Sequence, residues 1–156
     1  MLLWRLSGRR HARAFDGGYG LSFDGRWNTR GHRVTYCATS PSLCVLEKLV
    51  HIEDFALMPD LVMITYDVPG TVAAETVSLD DLPADWRRRE ELTQGLGDTW
   101  QGAGKTAILT MPSAIVPLRD APDRNAMINH AHPAANAIKI VAAEDFALDA
   151  RLSRGT

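Results

Sequence analysis

The sequence predicts an α+β fold built on a mixed, largely antiparallel sheet with flanking helices. Segments typical of strands outnumber those typical of helices, and the helical segments do not alternate strictly with the strands. The composition is that of an ordinary folded domain, because 46% of the residues are hydrophobic and 23% are charged. A chain of 156 residues can bury about 70% of its unfolded surface without disulfides or metals. We therefore expect one domain that covers residues 1–156.

Six segments are predicted to be strands. The clearest is residues 61–67, a run rich in β-branched and aromatic side chains between Pro59 and the turn pair Pro69-Gly70. Two later segments are separated by Pro112 and Ser113, which interrupt the pattern. The predicted strands are residues 2–6, 33–38, 61–67, 106–111, 114–118 and 137–142.

Two helices are predicted. Ser40 followed by Pro41 is a favourable helix start, because a hydroxyl at the N-cap accepts a backbone N–H and proline suits the first helical position. Helical periodicity continues over residues 43–52, and a second helix is expected from about residue 89 to residue 100. Residues 17–20 are expected to form a loop. Residues 102–106 superficially match the phosphate-binding loop of ATPases but lack its first glycine and preceding strand, so Gly104 is expected to end the second helix.

Composition and spacing exclude several classes of protein. No apolar run approaches the ~18 to 20 residues of a membrane span, and the start of the chain is too soon charged for a signal peptide, so we expect a cytoplasmic protein. The net charge of −2 argues against broad nucleic-acid binding. Cys37 and Cys44 match no metal or redox spacing and are expected to be buried free thiols. His130 and His132 lack a third ligand at metal spacing, so we expect structural or solvent-facing roles for them and no bound metal.

Charge is unevenly distributed along the chain. Residues 1–33 contain seven arginines and two aspartates, whereas residues 53–91 contain ten acidic residues and three arginines. Because arginine binds phosphate through forked hydrogen bonds, the N-terminal third suits a phosphate-bearing ligand. A solvated basic face is an equally good interpretation.

Three residues of the first third are candidates for chemistry, and each has an ordinary structural alternative. Arg26, in the segment 25–28, could bind phosphate or carboxylate, or could cap a sheet edge. Tyr36 could contact a ligand, although a tyrosine in a strand is more often a core residue with a solvated hydroxyl. Glu47 lies at the border of the apolar arc of its helix, so we expect it to be half-buried and to need a partner. The alternative is a surface glutamate paired with His51.

The ordered combination of these segments resembles the signature of the RES-domain toxins. The likeness extends from about Arg5 to Pro133 and comprises residues 25–28, Tyr36 within 34–38, Glu47 within 46–51, residues 96–100 with 111–114, and residues 125–129 with 132–133. The arginine, glutamate and serine that name the family correspond here to Arg26, Glu47 and Ser113. The chain departs from the pattern at His130, where the family usually has proline.

The resemblance implies a fold similar to that of ADP-ribosyltransferases, with NAD as the substrate and no cofactor. Glu47 would then stabilise the positive charge that develops when the nicotinamide–ribose bond breaks. Arg26 would hold the pyrophosphate or ribose, Tyr36 would pack against the nicotinamide ring, and Ser113 would offer its hydroxyl to the substrate. Further residues are expected at the substrate-binding site: Trp27, Arg5 and Asn129.

The resemblance also implies a partner, an antitoxin with a helix-turn-helix domain of the Xre type, and is compatible with a homodimer inside that complex. Three functions stay open at this point. The first is a toxin that arrests growth by degrading NAD through hydrolysis or phosphorolysis. The second is a mono-ADP-ribosyltransferase that modifies a protein acceptor. The third is a catalytically silent module that binds nucleotides or the antitoxin.

Overall fold

Seven strands form one sheet in the computed structural model, which describes residues 1–153 of the chain. The strands lie in the order β4-β5-β6-β2-β1-β3-β7, and all neighbouring pairs are antiparallel except β4 and β5. This mixed sheet confirms the predicted α+β class. The strands are β1 Leu2–Gly8, β2 Val34–Ala38, β3 Leu61–Asp67, β4 Ala74–Thr76, β5 Ile108–Pro112, β6 Arg124–Asn129 and β7 Lys139–Phe146.

In the part of the chain that the structure describes, three α-helices accompany the sheet: α1 Gly18–Ser22, α2 Pro41–Leu49 and α3 Glu90–Ala103. Helix α2 begins as predicted, because the Ser40 hydroxyl accepts the backbone N–H of Leu43 at 3.2 Å. Gly104 ends α3 with a φ of 57°, a left-handed conformation that favours glycine, which confirms the predicted helix end. Within residues 1–153, no helix is both long enough and apolar enough to cross a membrane.

The structure corrects the sequence-based elements in four places. Residues 114–118 form no strand, because the Ser113 hydroxyl accepts the backbone N–H groups of Ile115 and Val116 and turns the chain. The segment 17–20, predicted to be a loop, includes the first residues of α1. Strands β6 and β4 were not predicted, since β6 begins and ends with polar residues and β4 has only three.

Both faces of the sheet are covered by apolar packing. One face carries Cys37, Ile64 and Ile128, and the other carries Leu109 and Met127. Cys37 and Cys44 are free and buried, as predicted. Burial raises the pKa of both thiols, that of Cys44 to about 12.

Helix α2 presents a different face to the sheet from the one that its apolar arc predicts. Its buried residues are Leu43 and Cys44, whereas Leu46 and Val50 are 38% and 60% exposed. Glu47 follows Leu43 by four residues and Cys44 by three, the two spacings that place side chains on one helix face. The carboxylate therefore lies on the inward face of α2 and not at its border.

Candidate functional site

The first part of the candidate site is the tight loop formed by residues 25–28. Gly25 and Asn28 form an isolated β-bridge, and the backbone N–H of Trp27 donates to the Tyr36 hydroxyl at 3.0 Å. That hydroxyl donates in turn to Asn28 Oδ1 at 2.6 Å. A Cβ at position 25 would lie 2.6 Å from both oxygens, so only glycine permits this closure. Because the Tyr36 hydroxyl is hydrogen-bonded to the loop, the face of its ring is the part that could contact a ligand.

Helix α3 holds the backbone of this loop in place. Glu90 and Glu91 in the first turn favour the helix through its dipole, and one face then carries the side chains that reach the loop. The contacts run from Thr93 Oγ1 to the Arg26 carbonyl at 2.6 Å, from Gln94 Nε2 to the Gly25 carbonyl at 2.9 Å, and from Thr29 Oγ1 to Asp98 Oδ2 at 2.6 Å. Thr93 and Gln94 thus hold residues 25–28, the arginine loop, directly, and Asp98 of the segment 96–100 holds Thr29, the residue that follows the loop.

Arg26 is half-buried and only partly satisfied. Its Nη2 donates to the Arg87 carbonyl at 2.7 Å, and its guanidinium carbon lies 5.7 Å from the centre of the Trp86 ring. Its Nη1 is buried and has no hydrogen-bond partner within residues 1–153. A buried guanidinium N–H without a partner is unfavourable, so a ligand oxygen that reaches Nη1 after a local rearrangement would form a charge-assisted hydrogen bond there.

The second part of the candidate site is the carboxylate of Glu47. It accepts two hydrogen bonds, from Asn125 Nδ2 at 2.6 Å and from Ser113 Oγ at 2.9 Å. The side chain is half-buried and its partners lie on other elements, as the sequence-based interpretation required. Among the described residues, no ion pair joins Glu47 to the exposed His51, so the surface-glutamate alternative is not the arrangement seen.

Strand pairing brings the two parts to one face of the sheet. Tyr36 on β2 is paired with Met127 on β6, and Ala38 is paired with Asn125. Tyr36 and Asn125 are therefore diagonal neighbours on the same face, at the roughly 7–8 Å spacing of such pairs. Since Tyr36 binds the arginine loop and Asn125 binds Glu47, the loop and the carboxylate flank a common surface.

Ser113 is at this site, and its hydroxyl is already bonded to other groups of the protein. It is fully buried, and its hydroxyl is shared between Glu47 and the backbone N–H groups of Ile115 and Val116. A direct contact between this hydroxyl and a substrate would require these bonds to break. The serine contacts the carboxylate instead.

The structure does not bring the other expected binding residues to this surface. Trp27 is only 1% exposed and packs against Trp86. Asn129 is 1% exposed, and its amide donates to the Gln101 carbonyl. Arg5 lies on the opposite face of the sheet from Tyr36, next in sequence to Trp4, which is paired with Ala38. Its guanidinium donates to the carbonyls of nearby residues, His11 and Ala14.

Two residues at the site were not predicted from the sequence, although both lie within segments that resemble the family signature. Asn28 orders the Tyr36 hydroxyl, and Asn125 binds Glu47. The signal for Asn125 was available in the alternation of β6, where it shares a face with Met127. At His130 the backbone N–H donates to the Arg33 carbonyl at 2.9 Å, a bond that the proline usual in the family could not make.

Comparisons with known proteins find relatives along nearly the whole chain. A sequence model of the RES domain family matches residues 2–149. The chain is 37% identical to "Toxin Res" of Pseudomonas putida over 156 residues, which covers 97% of this chain and 99% of that protein. It is 34% identical to "Toxin Res" of Photorhabdus laumondii over 155 residues, which covers 97% of each chain.

Two further relatives extend the comparison. The "Prs ADP-ribosylating toxin" of Sphingobium sp. is 33% identical over 134 residues, which covers 83% of this chain and 81% of that protein. The fold is shared with a chain in the crystal structure of the M. tuberculosis MbcT–MbcA toxin–antitoxin complex, with a TM-score of 0.71, 18% identity, and coverage of 93% of this chain and 83% of the other. The match along nearly the whole chain, together with these relatives, places the protein in the RES domain family of toxins.

Proposed function

We propose that this RES-domain toxin breaks the bond between nicotinamide and ribose in NAD and so arrests growth. The observation that carries the proposal is that one site contains both an anchored carboxylate and an arginine with a nitrogen that lacks a hydrogen-bond partner. Glu47 is held by Asn125 and Ser113, and Arg26 has a buried Nη1 without a partner among residues 1–153. An anion near the ribose and a cation for the phosphates are what cleavage of a dinucleotide needs.

The chemistry fits a carboxylate that is already in position before the reaction. When the bond between C1′ and the nicotinamide nitrogen breaks, both electrons go to that nitrogen and neutralise the pyridinium ring. The ribose then has oxocarbenium character, and an oxygen of water or phosphate forms the new bond to C1′ and releases its proton. Glu47 would stabilise the positive charge and orient the ribose or the attacking oxygen.

Arg26 and Tyr36 supply binding in this proposal. After a local rearrangement that opens a path to it, the unpaired Nη1 of Arg26 would bind a pyrophosphate or ribose oxygen, which would also satisfy a buried donor. The Tyr36 hydroxyl is already bonded to the loop, so its ring is the part left to pack against nicotinamide. Burial raises the pKa of this phenol well above its usual range, so it stays neutral and does not act as a base.

Transfer of ADP-ribose to a protein is the second candidate. The same bond breaks and the same residues act, but a side chain of another protein replaces water or phosphate. The name of the Sphingobium relative, "Prs ADP-ribosylating toxin", favours this candidate for a chain that is 33% identical to it.

We also propose that an antitoxin partner holds the activity off. The neighbour of the same fold was solved within a toxin–antitoxin complex. An antitoxin of the Xre type that covers the surface between Arg26 and Glu47 would prevent NAD from entering. NAD turnover by the complex at the rate of the free protein would contradict occlusion.

The test of the proposed function is to incubate the purified protein with NAD, with and without phosphate and a bacterial extract, and to identify every product by mass spectrometry. Hydrolysis gives free ADP-ribose, phosphorolysis gives ADP-ribose with an additional phosphate on C1′, and transfer gives a protein adduct. Each route releases nicotinamide. Bound but intact NAD under all conditions would exclude both enzymatic functions and indicate a silent binding module.

A further inference from the structure

The two donors to Glu47 converge on the same atom. Both Ser113 Oγ and Asn125 Nδ2 reach Oε1, at 2.9 Å and 2.6 Å. The other carboxylate oxygen, Oε2, accepts no hydrogen bond from residues 1–153, and it is not among the buried polar atoms that lack a partner. One oxygen of Glu47 is therefore anchored and the other is open.

The hydrogen-bonding capacity of Ser113 limits its hydroxyl proton to one acceptor, which is Oε1 of Glu47. A hydroxyl has one proton to donate and two lone pairs to accept with. The backbone N–H groups of Ile115 and Val116 donate to Oγ at 3.0 Å and 3.3 Å, which uses both lone pairs. The single proton can then satisfy only one acceptor, and Glu47 Oε1 is the acceptor present. Because Ser113 is fully buried, its hydroxyl cannot also serve a substrate.

Asn125 holds the same oxygen from another element. It extends from β6, on the face shared with Tyr36, whereas Ser113 directly follows β5. Anchoring from two strands restricts the rotation of a side chain that extends from α2. A carboxylate fixed in this way is preorganised, so little reorganisation is needed when positive charge develops on the ribose.

We propose that Ser113 and Asn125 are positioning residues that hold Oε1 of Glu47 and reserve Oε2 for the ribose. The inference rests on the proposed function and deepens it, because it assigns the reacting role to one oxygen and moves the family serine away from the substrate. It holds for every acceptor, since cleavage of the nicotinamide bond is common to water, phosphate and protein.

The experiment measures nicotinamide release by Ser113→Ala and Asn125→Ala, each made in the parent chain and in Glu47→Gln. In the parent chain kcat should fall roughly 10- to 100-fold, as is typical when a supporting partner is lost, while KM changes little. In the Glu47→Gln chain the same substitutions should cause no further loss, because residues that act through one group are not additive. Ser42→Ala removes an exposed hydroxyl from α2 and serves as the matched control.

An equal loss in both backgrounds, or a rise in KM at constant kcat, would overturn the inference and indicate direct substrate contact. If Ser113→Ala does not fold, the half-buried Asn125 still provides the test. Absence of turnover in the parent chain would overturn the proposed function instead. In that case the free energy of unfolding of the same variants is measured and analysed as a double-mutant cycle. The anchoring would be refuted if neither Ser113 nor Asn125 showed a coupling energy with Glu47.

Discussion

Gly97 lies so close to the backbone of Trp27 that an added Cβ would be 1.7 Å from the carbonyl oxygen of that residue. The near atom is backbone and cannot rotate away, so helix α3 and the arginine loop meet there only because position 97 has no side chain. The relationship ties the middle segment of the sequence to the placement of Arg26. It also gives a direct test of whether the loop must be held.

Gly97→Ala is expected to force the loop and the helix apart. Overpacking of this kind typically lowers the free energy of unfolding by about 1–3 kcal/mol. A shift of about 1 Å at Arg26 could reduce the rate of NAD consumption on the order of 100-fold. The measurements are thermal unfolding and nicotinamide release.

The matched control for this change is Gly95→Ala. Gly95 is on the same helix, but an added Cβ there meets nothing within 4 Å. Alanine should stabilise the helix by about 0.5–1 kcal/mol at such a position and leave activity unchanged. Equal behaviour of the two variants would show that the contact with Trp27 does not matter.

Glu47→Gln should spare folding and remove activity. Glutamine keeps the size of the side chain but deletes the negative charge that we propose lies near the ribose. Loss of a preorganised electrostatic contact of this kind reduces the rate on the order of 100- to 1000-fold, or about 3 to 4 kcal/mol of barrier. Circular dichroism and NAD consumption are measured together, with the exposed Glu53→Gln as control. A folded variant within about threefold of the parent rate, far short of that loss, would show that the assigned role is wrong.

Arg26→Lys should weaken NAD binding more than it slows chemistry. Lysine keeps the positive charge but loses the planar fork that binds Arg87 and stacks on Trp86. We expect a higher KM with a smaller change in kcat. The exposed Arg30→Lys is the matched control. An unchanged KM would argue that Arg26 stabilises the loop rather than the substrate.

Expression of the chain without an antitoxin should arrest bacterial growth while cellular NAD falls. The expectation follows from a toxin that consumes a shared cofactor, and Glu47→Gln should abolish both effects. Growth and NAD are followed in the same culture over time. Arrest at constant NAD would argue against depletion and favour ADP-ribosylation of a protein.

His130 should make the fold less stable in mild acid. Burial lowers the pKa of its imidazole from the ordinary value of 6.5 to about 4 in the folded chain. Between these values the unfolded chain binds more protons than the folded one, so the free energy of unfolding falls as the pH drops from about 6.5 towards 4. Thermal unfolding across this range measures the effect.

Replacement of this histidine by glutamine should flatten that pH dependence, because glutamine does not titrate. His51→Gln removes an exposed histidine and serves as the control. A slope that stays unchanged in His130→Gln would assign the acid sensitivity to other groups.

The sequence by itself determined the elements whose signals are local. Strand β3 occupies residues 61–67 as predicted, because it is a run rich in β-branched and aromatic side chains that is bounded by prolines. Ser40 and Gly104 mark helix ends through hydrogen bonding and backbone conformation that depend only on neighbouring residues. The ordered segments around Arg26 and Glu47 also indicated the family that the comparisons show.

Only the tertiary structure decided which of the candidate residues meet. Strand β6 lies inside the sheet, where the half-buried Asn125 donates to Glu47 and the buried Asn129 donates to the Gln101 carbonyl, and both partners are distant in the sequence. The sequence likewise did not show that the Ser113 hydroxyl donates to Glu47. Nor did it show that Arg5 lies on the opposite face of the sheet from Tyr36. Strand order and sheet face are set by packing between residues far apart in the chain, and a sequence read along its length does not record them.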